Sequence, residues 1–193
     1  RRSGAGGRFG SYLWLLAAAL AASLAGDVFL MLQGFFIPGL VSFLVAHLFY
    51  IALFKQGVPW FPCRRALAIP LAIGGGMYAF LWAGGLPAAL RLPVAAYVAV
   101  IALMAAQALG RASVLRTPAS VGVAAGACVF MLSDSVLATN RFVVALPLGQ
   151  FWVLATYYVA QFLILRNVVA GAPAPVADQP SAVPSLVSSA TVR

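Results

Sequence analysis

Six long apolar stretches constrain the fold of this chain more than any other feature. Each is close to the roughly twenty residues that an α-helix needs to cross the hydrocarbon core of a bilayer. Arg and Lys occur mainly in short clusters between the stretches. The predicted spans are 11–32, 36–54, 66–84, 93–109, 118–139 and 146–166. The sequence therefore predicts an all-α integral membrane protein, a bundle of about six transmembrane helices.

Composition excludes the other structural classes. Of the 193 residues, 64% are hydrophobic and only 8% are charged, so a soluble domain would lack the residues for a polar surface. A transmembrane β-barrel would alternate apolar and polar residues in segments of roughly ten, and these stretches do not alternate. A multi-span helical protein is the class that remains.

The basic residues predict an orientation. Ten of the 12 Lys and Arg lie on the side of the N-terminus, and only Arg91 and Arg141 lie on the opposite side. Because positive charge is retained in cytoplasmic loops, both termini are predicted to be cytoplasmic. The net charge of +9 then indicates topology and attraction to anionic lipid, and it does not indicate a nucleic-acid partner.

The two ends of the chain differ from the membrane domain. Residues 1–10 are predicted to be a basic cytoplasmic segment, 11–166 the transmembrane domain, and 167–193 a disordered Ala/Pro/Ser-rich tail. Residues 1–26 also fit a cleaved signal peptide. The apolar run continues through Leu32 without a polar start for a mature chain, which favours a membrane span.

Two aspartates interrupt apolar runs that otherwise contain few polar side chains. Asp27 lies in "SLAGDVFLML" and Asp134 in "VFMLSDSVLATN", and the third acidic residue, Asp178, belongs to the tail. A carboxylate in a span costs a few kcal/mol and normally faces the interior of the bundle. At the helical rise of about 1.5 Å per residue, Asp27 and Asp134 lie at one depth on the non-cytoplasmic side. We expect them to form a paired site.

A purely structural interpretation of these aspartates is the alternative. Asp134 could bond the hydroxyl group of Ser133 or Ser135, or pair with Arg141. The functional interpretation is acid catalysis, in which one carboxyl group donates a proton and the other stays ionised beside a cation-like transition state. The single histidine, His47, cannot build a three-histidine metal site, and the sequence predicts no metal or cofactor. His47 could equally be a helix contact or a substrate contact.

Two hairpins of the chain resemble one another. "VAHLFYI" (45–51) and "VAQFLIL" (159–165) each follow a helix that carries an aspartate. Asp27 and His47 then correspond to Asp134 and Gln161. Both hairpins run in the same sense, so the sequence predicts a parallel internal repeat about an axis along the membrane normal.

An ordered set of motifs identifies a family resemblance. The motifs are "GDVFLML", "FIPGLVSFLVAHLFYI", "LPVAAY", "LSDSVLA" and "TYYVAQFLI". Together they resemble the YhhN-like lysoplasmalogenase family of membrane proteins over roughly residues 20–166. The resemblance implies hydrolysis of the vinyl ether bond of lysoplasmalogens, which releases a fatty aldehyde and a glycerophospho-alcohol such as glycerophosphocholine or glycerophosphoethanolamine.

The resemblance also implies roles for individual residues. Asp27 and Asp134 match the intramembrane aspartates of the family and are the candidate catalytic residues. The candidate substrate-binding residues are His47, Tyr50, Tyr157 and Gln161, which match its other polar motif positions, together with Ser133 and Asn140, which lie near Asp134 in the chain. The implied partner is a lysophospholipid within the bilayer. Family members generally have eight spans, so two helices, the second with a Lys-Pro pair, are expected to precede the six found here.

Two other functional classes stay open on the residues alone. Intramembrane carboxylates together with an internal repeat also occur in proton-coupled transporters. A non-catalytic membrane scaffold is the third possibility. Release of aldehyde from a lysoplasmalogen by purified protein in detergent, without any gradient, would separate the enzyme from both.

Overall fold

The computed structural model describes residues 5–172, with side chains described from Gly10 onward. The predicted disorder of the tail beyond residue 172 lies outside the described residues. Asp178, which we predict to be solvated, and the basic Arg1 and Arg2 also lie outside the described residues.

The described residues form six helices joined by short connections. They are α1 (Ala5–Met31), α2 (Phe36–Lys55), α3 (Arg64–Ala83), α4 (Ala88–Leu115), α5 (Pro118–Phe142) and α6 (Gly149–Ala170). Each contains a stretch long and apolar enough to cross a membrane. The prediction of an all-α membrane protein with six spans is therefore confirmed. Lipid offers no hydrogen-bond partners to backbone N–H and C=O groups. A helix pairs these groups within its own segment.

The fourth helix is longer than the predicted span 93–109. It extends by about a turn or more at each end because two arginines continue the helix where the apolar run stops. Arg91 stacks its guanidinium group on the Trp82 ring at 4.0 Å. Arg111 donates hydrogen bonds to the carbonyl oxygens of Phe54 and Gln56 at the end of α2. A charged side chain with such partners interrupts the apolar sequence, but the helix continues through it.

The last hairpin, α5–α6, has well-defined ends. Thr117 begins α5 through a capping box with Ser120, and Pro118 occupies the first turn, where its missing N–H costs nothing. Leu148, at a φ of 56°, immediately precedes α6. The predicted start at residue 146 was therefore three residues early, because Pro147 and Leu148 belong to the connection. The helix also runs four residues past the predicted end at 166.

Helix α4 lies at the centre of the bundle, in contact with α2, α3 and α5. Of the three consecutive glycines in α3, only Gly74 serves close packing: a Cβ atom there would lie 3.1 Å from Val98 of α4, whereas Gly75 and Gly76 have open space. Helices α1 and α2 pack as one hairpin, and α5 and α6 pack as another. The internal repeat between these hairpins stays a prediction.

Candidate active site

Asp27 lies at the end of a chain of hydrogen bonds between helices α1, α6 and α2. The Tyr157 hydroxyl group donates to an Asp27 carboxylate oxygen at 2.9 Å. The Gln161 amide group donates to the Tyr157 oxygen at 3.2 Å, and the Tyr50 hydroxyl group donates to the Gln161 carbonyl oxygen at 2.6 Å. Every bond in this relay, from Tyr50 through Gln161 and Tyr157, donates toward Asp27. The relay therefore presents its last proton to the carboxylate.

Asp134, on α5, has a tyrosine partner of its own. The hydroxyl group of Tyr97, on α4, donates to an Asp134 carboxylate oxygen. The bond joins residues on neighbouring helices of the bundle core, where Tyr97 is only 8% exposed. Each intramembrane aspartate thus accepts a hydrogen bond from a phenol, and the two phenols come from different helices.

The alternative partners of Asp134 are engaged elsewhere. The Ser133 hydroxyl group donates to the Val153 carbonyl oxygen at 2.9 Å, and the Ser135 hydroxyl group donates to the Met131 carbonyl oxygen at 2.8 Å. No ion pair joins Asp134 to Arg141 within the part of the chain that the structure describes. The serine and arginine contacts named for Asp134 in the structural interpretation are therefore not formed, and its hydrogen-bond partner is Tyr97.

Both aspartates line a single cavity of about 510 Å³, which we call the aspartate cavity. It lies between α1 and the α5–α6 hairpin, and Phe36 and Phe43 of α2 also contribute to its wall. Tyr157 brings its hydroxyl group to the same cavity. A molecule bound in this cavity would face two carboxyl groups from two helices, and paired carboxyl groups are the side chains that acid–base chemistry uses.

The candidate substrate-binding residues have different positions relative to this cavity. Ser133, Asn140 and Tyr157 line it. Tyr50 and Gln161 lie outside its lining and connect to it through the relay. His47 lies outside the lining and is fully buried, with its ring 4.8 Å from the Phe130 ring and 5.3 Å from the Tyr97 ring, measured between centroids. Neither ring nitrogen of His47 has a hydrogen-bond partner among the described residues.

Tyr97 and Arg141 are among the residues at the site that were assigned no catalytic or binding role from the sequence. Tyr97 ends the "LPVAAY" motif and is the only tyrosine of α4, a signal that could have identified it. Arg141 was used only for orientation and as a possible partner of Asp134. The structure places it in the lining of the aspartate cavity, near the end of α5. No regular spacing in the sequence links Tyr97 to Asp134, since 37 residues separate them.

The sequence model of the YhhN family matches residues 4–168. This chain belongs to the YhhN family. No solved structure matches it. Among curated proteins it is similar to human lysoplasmalogenase TMEM86B, at 34% identity over 88% of this chain and 69% of the relative. Human lysoplasmalogenase TMEM86A is 33% identical over 78% of this chain and 63% of the relative. A lysoplasmalogenase of Mycobacterium tuberculosis is 30% identical over 84% of this chain and 62% of the relative.

Membership of the YhhN family fits the arrangement of the site. The matched region contains all six helices apart from the last two residues of α6, and it contains both aspartates with their tyrosine partners. This YhhN-family chain spans about two thirds of the length of the lysoplasmalogenases that it matches.

Proposed function

We propose that this protein is an intramembrane hydrolase that cleaves the vinyl ether bond of lysoplasmalogens. The observation that carries the proposal is the pair of aspartates, on α1 and α5, that face one cavity and each accept a hydrogen bond from a tyrosine. The relatives named lysoplasmalogenase support the same reaction. A small proton-coupled transporter and a non-catalytic scaffold, the alternatives left open by the sequence, are not favoured by these relatives.

The reaction needs one proton donor and one carboxylate. One aspartic acid transfers its proton to the outer carbon of the vinyl ether, and the electron pair of the double bond forms the new C–H bond. The adjacent carbon and the ether oxygen then share a positive charge, which the second carboxylate stabilises at short range. Water adds to that carbon and gives its proton to a carboxylate. The hydroxyl group of the resulting hemiacetal gives its proton to the ionised aspartate, the bond to the glycerol oxygen breaks, and that oxygen takes a proton from the other aspartic acid. The aldehyde and the glycerophospho-alcohol are then released.

The tyrosines orient the carboxyl groups. Tyr157 and Tyr97 each hold one oxygen of an aspartate by a hydrogen bond, which limits the rotation of the carboxyl group toward the cavity. The second oxygen of each carboxyl group is then available for the substrate. Gln161 fixes the Tyr157 hydroxyl group in turn, because its amide group donates to the phenol oxygen. Positioned groups of this kind are what make general acid–base catalysis efficient.

The proposal includes an orientation in the membrane. Both termini are cytoplasmic, from the distribution of basic residues, and the aspartate cavity lies in the half of the bundle that faces away from the cytoplasm. The vinyl ether of a lysolipid lies just below its headgroup, at the depth where the two carboxylates are expected. The substrate therefore reaches the carboxylates while its alkenyl chain stays in the apolar interior.

Asparagine substitutions test the catalytic assignment. Asp27→Asn and Asp134→Asn keep the size of the side chain but cannot donate a carboxyl proton or carry negative charge. Each is expected to lower the rate of aldehyde release by roughly a hundredfold or more, in keeping with general acid–base contributions. The fold should survive, because a neutral amide is less costly in a span than a charge. A saturated ether lysolipid should inhibit the wild-type protein, since it differs from the substrate only in lacking the double bond that accepts the proton.

The measurements are the rate of aldehyde release in detergent and the melting temperature of each variant. Full activity in either asparagine variant would remove that aspartate from the chemistry. Loss of activity together with loss of folded protein would return the residue to a structural role.

A further inference from the structure

Arg141 lines three neighbouring cavities near the end of α5, and two of them bear on this inference. One is the aspartate cavity, and the other is a neighbouring cavity of about 280 Å³, which we call the outer cavity. Gln33 and Gly34 of the α1–α2 connection contribute to the outer cavity, and Phe36 and Arg141 line both cavities. The outer cavity therefore adjoins the aspartate cavity on the side of the α1–α2 connection, and its wall contains one cationic side chain, that of Arg141.

The guanidinium group of Arg141 is held in place without a carboxylate partner. Its central carbon lies 4.4 Å from the centre of the Phe36 ring and 6.0 Å from that of Phe142. No acidic residue within residues 5–172 forms an ion pair with it. Stacking on an aromatic face fixes the plane of the group, and its N–H donors have no hydrogen-bond acceptor among the described residues. Such a planar fork matches a phosphate group.

The spacing along α5 matches the proposed substrate. Asp134 and Arg141 are seven residues apart, which is about two turns, so both lie on one face of the helix, separated by roughly 10 Å along its axis. In a lysoplasmalogen about seven bonds separate the carbon that accepts the proton from the phosphorus atom. At ordinary bond lengths that path spans roughly 9 Å when extended. A substrate with its vinyl ether at Asp134 therefore brings its phosphate group to Arg141.

We propose that Arg141 binds the phosphate group of the lysolipid and thereby sets the depth at which the vinyl ether meets the two aspartates. This inference rests on the proposed function. It makes the enzyme selective for phosphate-bearing lysolipids over neutral 1-alkenylglycerols, which carry the same vinyl ether.

Arg91 provides a matched control. It is the other arginine on the same side of the bundle, and its guanidinium group also stacks on an aromatic ring, that of Trp82. It donates to the Leu86 carbonyl oxygen at 3.4 Å and lines neither the aspartate cavity nor the outer cavity. Arg91→Gln removes the same charge from the same side of the protein, so it reports any general loss of attraction to anionic lipid.

The experiment changes the protein and the substrate together. Arg141→Gln is expected to raise KM for a lysoplasmalogen by about tenfold, the effect of losing one charge-assisted contact, while KM for a 1-alkenylglycerol stays unchanged. Arg91→Gln should change neither value, and Arg141→Lys should restore part of the loss because it keeps the charge without the fork. Equal effects of Arg141→Gln on both substrates, or equal effects of Arg141→Gln and Arg91→Gln, would overturn the proposal.

A binding measurement separates this proposal from the proposed reaction. A saturated alkyl-ether lysophospholipid should raise the melting temperature of the wild-type protein and of Arg141→Gln by different amounts, with the smaller rise in the variant. Equal rises would overturn the phosphate site even in an active enzyme. Absence of aldehyde release from both vinyl ether substrates by the wild-type protein would refute the reaction, while a smaller rise in the variant would still support the phosphate site.

Discussion

The hydroxyl group of Tyr157 is the most informative single atom to remove from the site. It donates to Asp27 at 2.9 Å and accepts from Gln161 at 3.2 Å, so Tyr157→Phe breaks two bonds of the relay at once. The ring itself packs against Phe43 and Phe130, with centroids 5.9 Å and 5.4 Å away, and phenylalanine keeps these contacts. The substitution therefore tests the hydrogen bonds with little change in packing.

The magnitude follows from the partners. A hydrogen bond to a charged group contributes about 1.5–3 kcal/mol. The substrate carries positive charge in the transition state. If the Tyr157 bond stabilises the Asp27 carboxylate mainly in that state, loss of the bond lowers kcat by roughly 10- to 100-fold. The Gln161 amide group, left without its acceptor in a partly buried position, costs a further ~1–3 kcal/mol of folding stability. Activity and stability should thus both fall. The loss of activity should be larger than the unfolded fraction of the protein can explain.

The assay follows aldehyde release from a lysoplasmalogen by purified protein in detergent, with the melting temperature measured on the same samples. Tyr78→Phe is the matched control, because the Tyr78 hydroxyl group donates to the Arg91 carbonyl oxygen at 3.1 Å, away from the aspartate cavity. It should lower the melting temperature slightly and leave kcat unchanged. Wild-type kcat in Tyr157→Phe would refute the role of the relay, since it would mean that Asp27 acts without the phenol.

Two further predictions concern topology and packing. The cysteine introduced by Val144→Cys, in the α5–α6 connection, should react with an impermeant thiol reagent in intact cells. Cys63, in the α2–α3 connection, should react only after permeabilisation. The opposite pattern would mean that the protein has the inverse orientation and that the site lies in the other leaflet. Gly126→Ala should lower the melting temperature, because its Cβ atom would lie 3.0 Å from the Ile164 backbone nitrogen and force α5 and α6 apart, at a cost of about 1–3 kcal/mol. Gly75→Ala, whose Cβ atom would meet nothing within 4 Å, is its control, and equal melting temperatures would contradict the close approach.

The sequence determined the class, the number of helices and the residues worth testing. Lipid cannot bond to backbone groups, so each apolar run of about twenty residues had one possible structure, and six runs gave six helices. The free-energy cost of a carboxylate in a membrane span identified Asp27 and Asp134 as candidate residues, because such a group must face the interior of the bundle. Helix ends were less accurate where arginines such as Arg91 and Arg111 lie within α4 and beyond its apolar run.

Only the tertiary structure decided which side chains meet. Helices that are apolar on every face carry little periodic signal to show which face packs against a neighbour, and lipid is as apolar as the helix surfaces themselves. The hydrogen-bond partners of the aspartates could therefore not be predicted from the sequence. Tyr157 lies 130 residues from Asp27 in the chain, and Tyr97 contacts Asp134 from another helix. The position of Arg141 between two cavities likewise depends on Phe36 of α2, which only the folded bundle brings beside it.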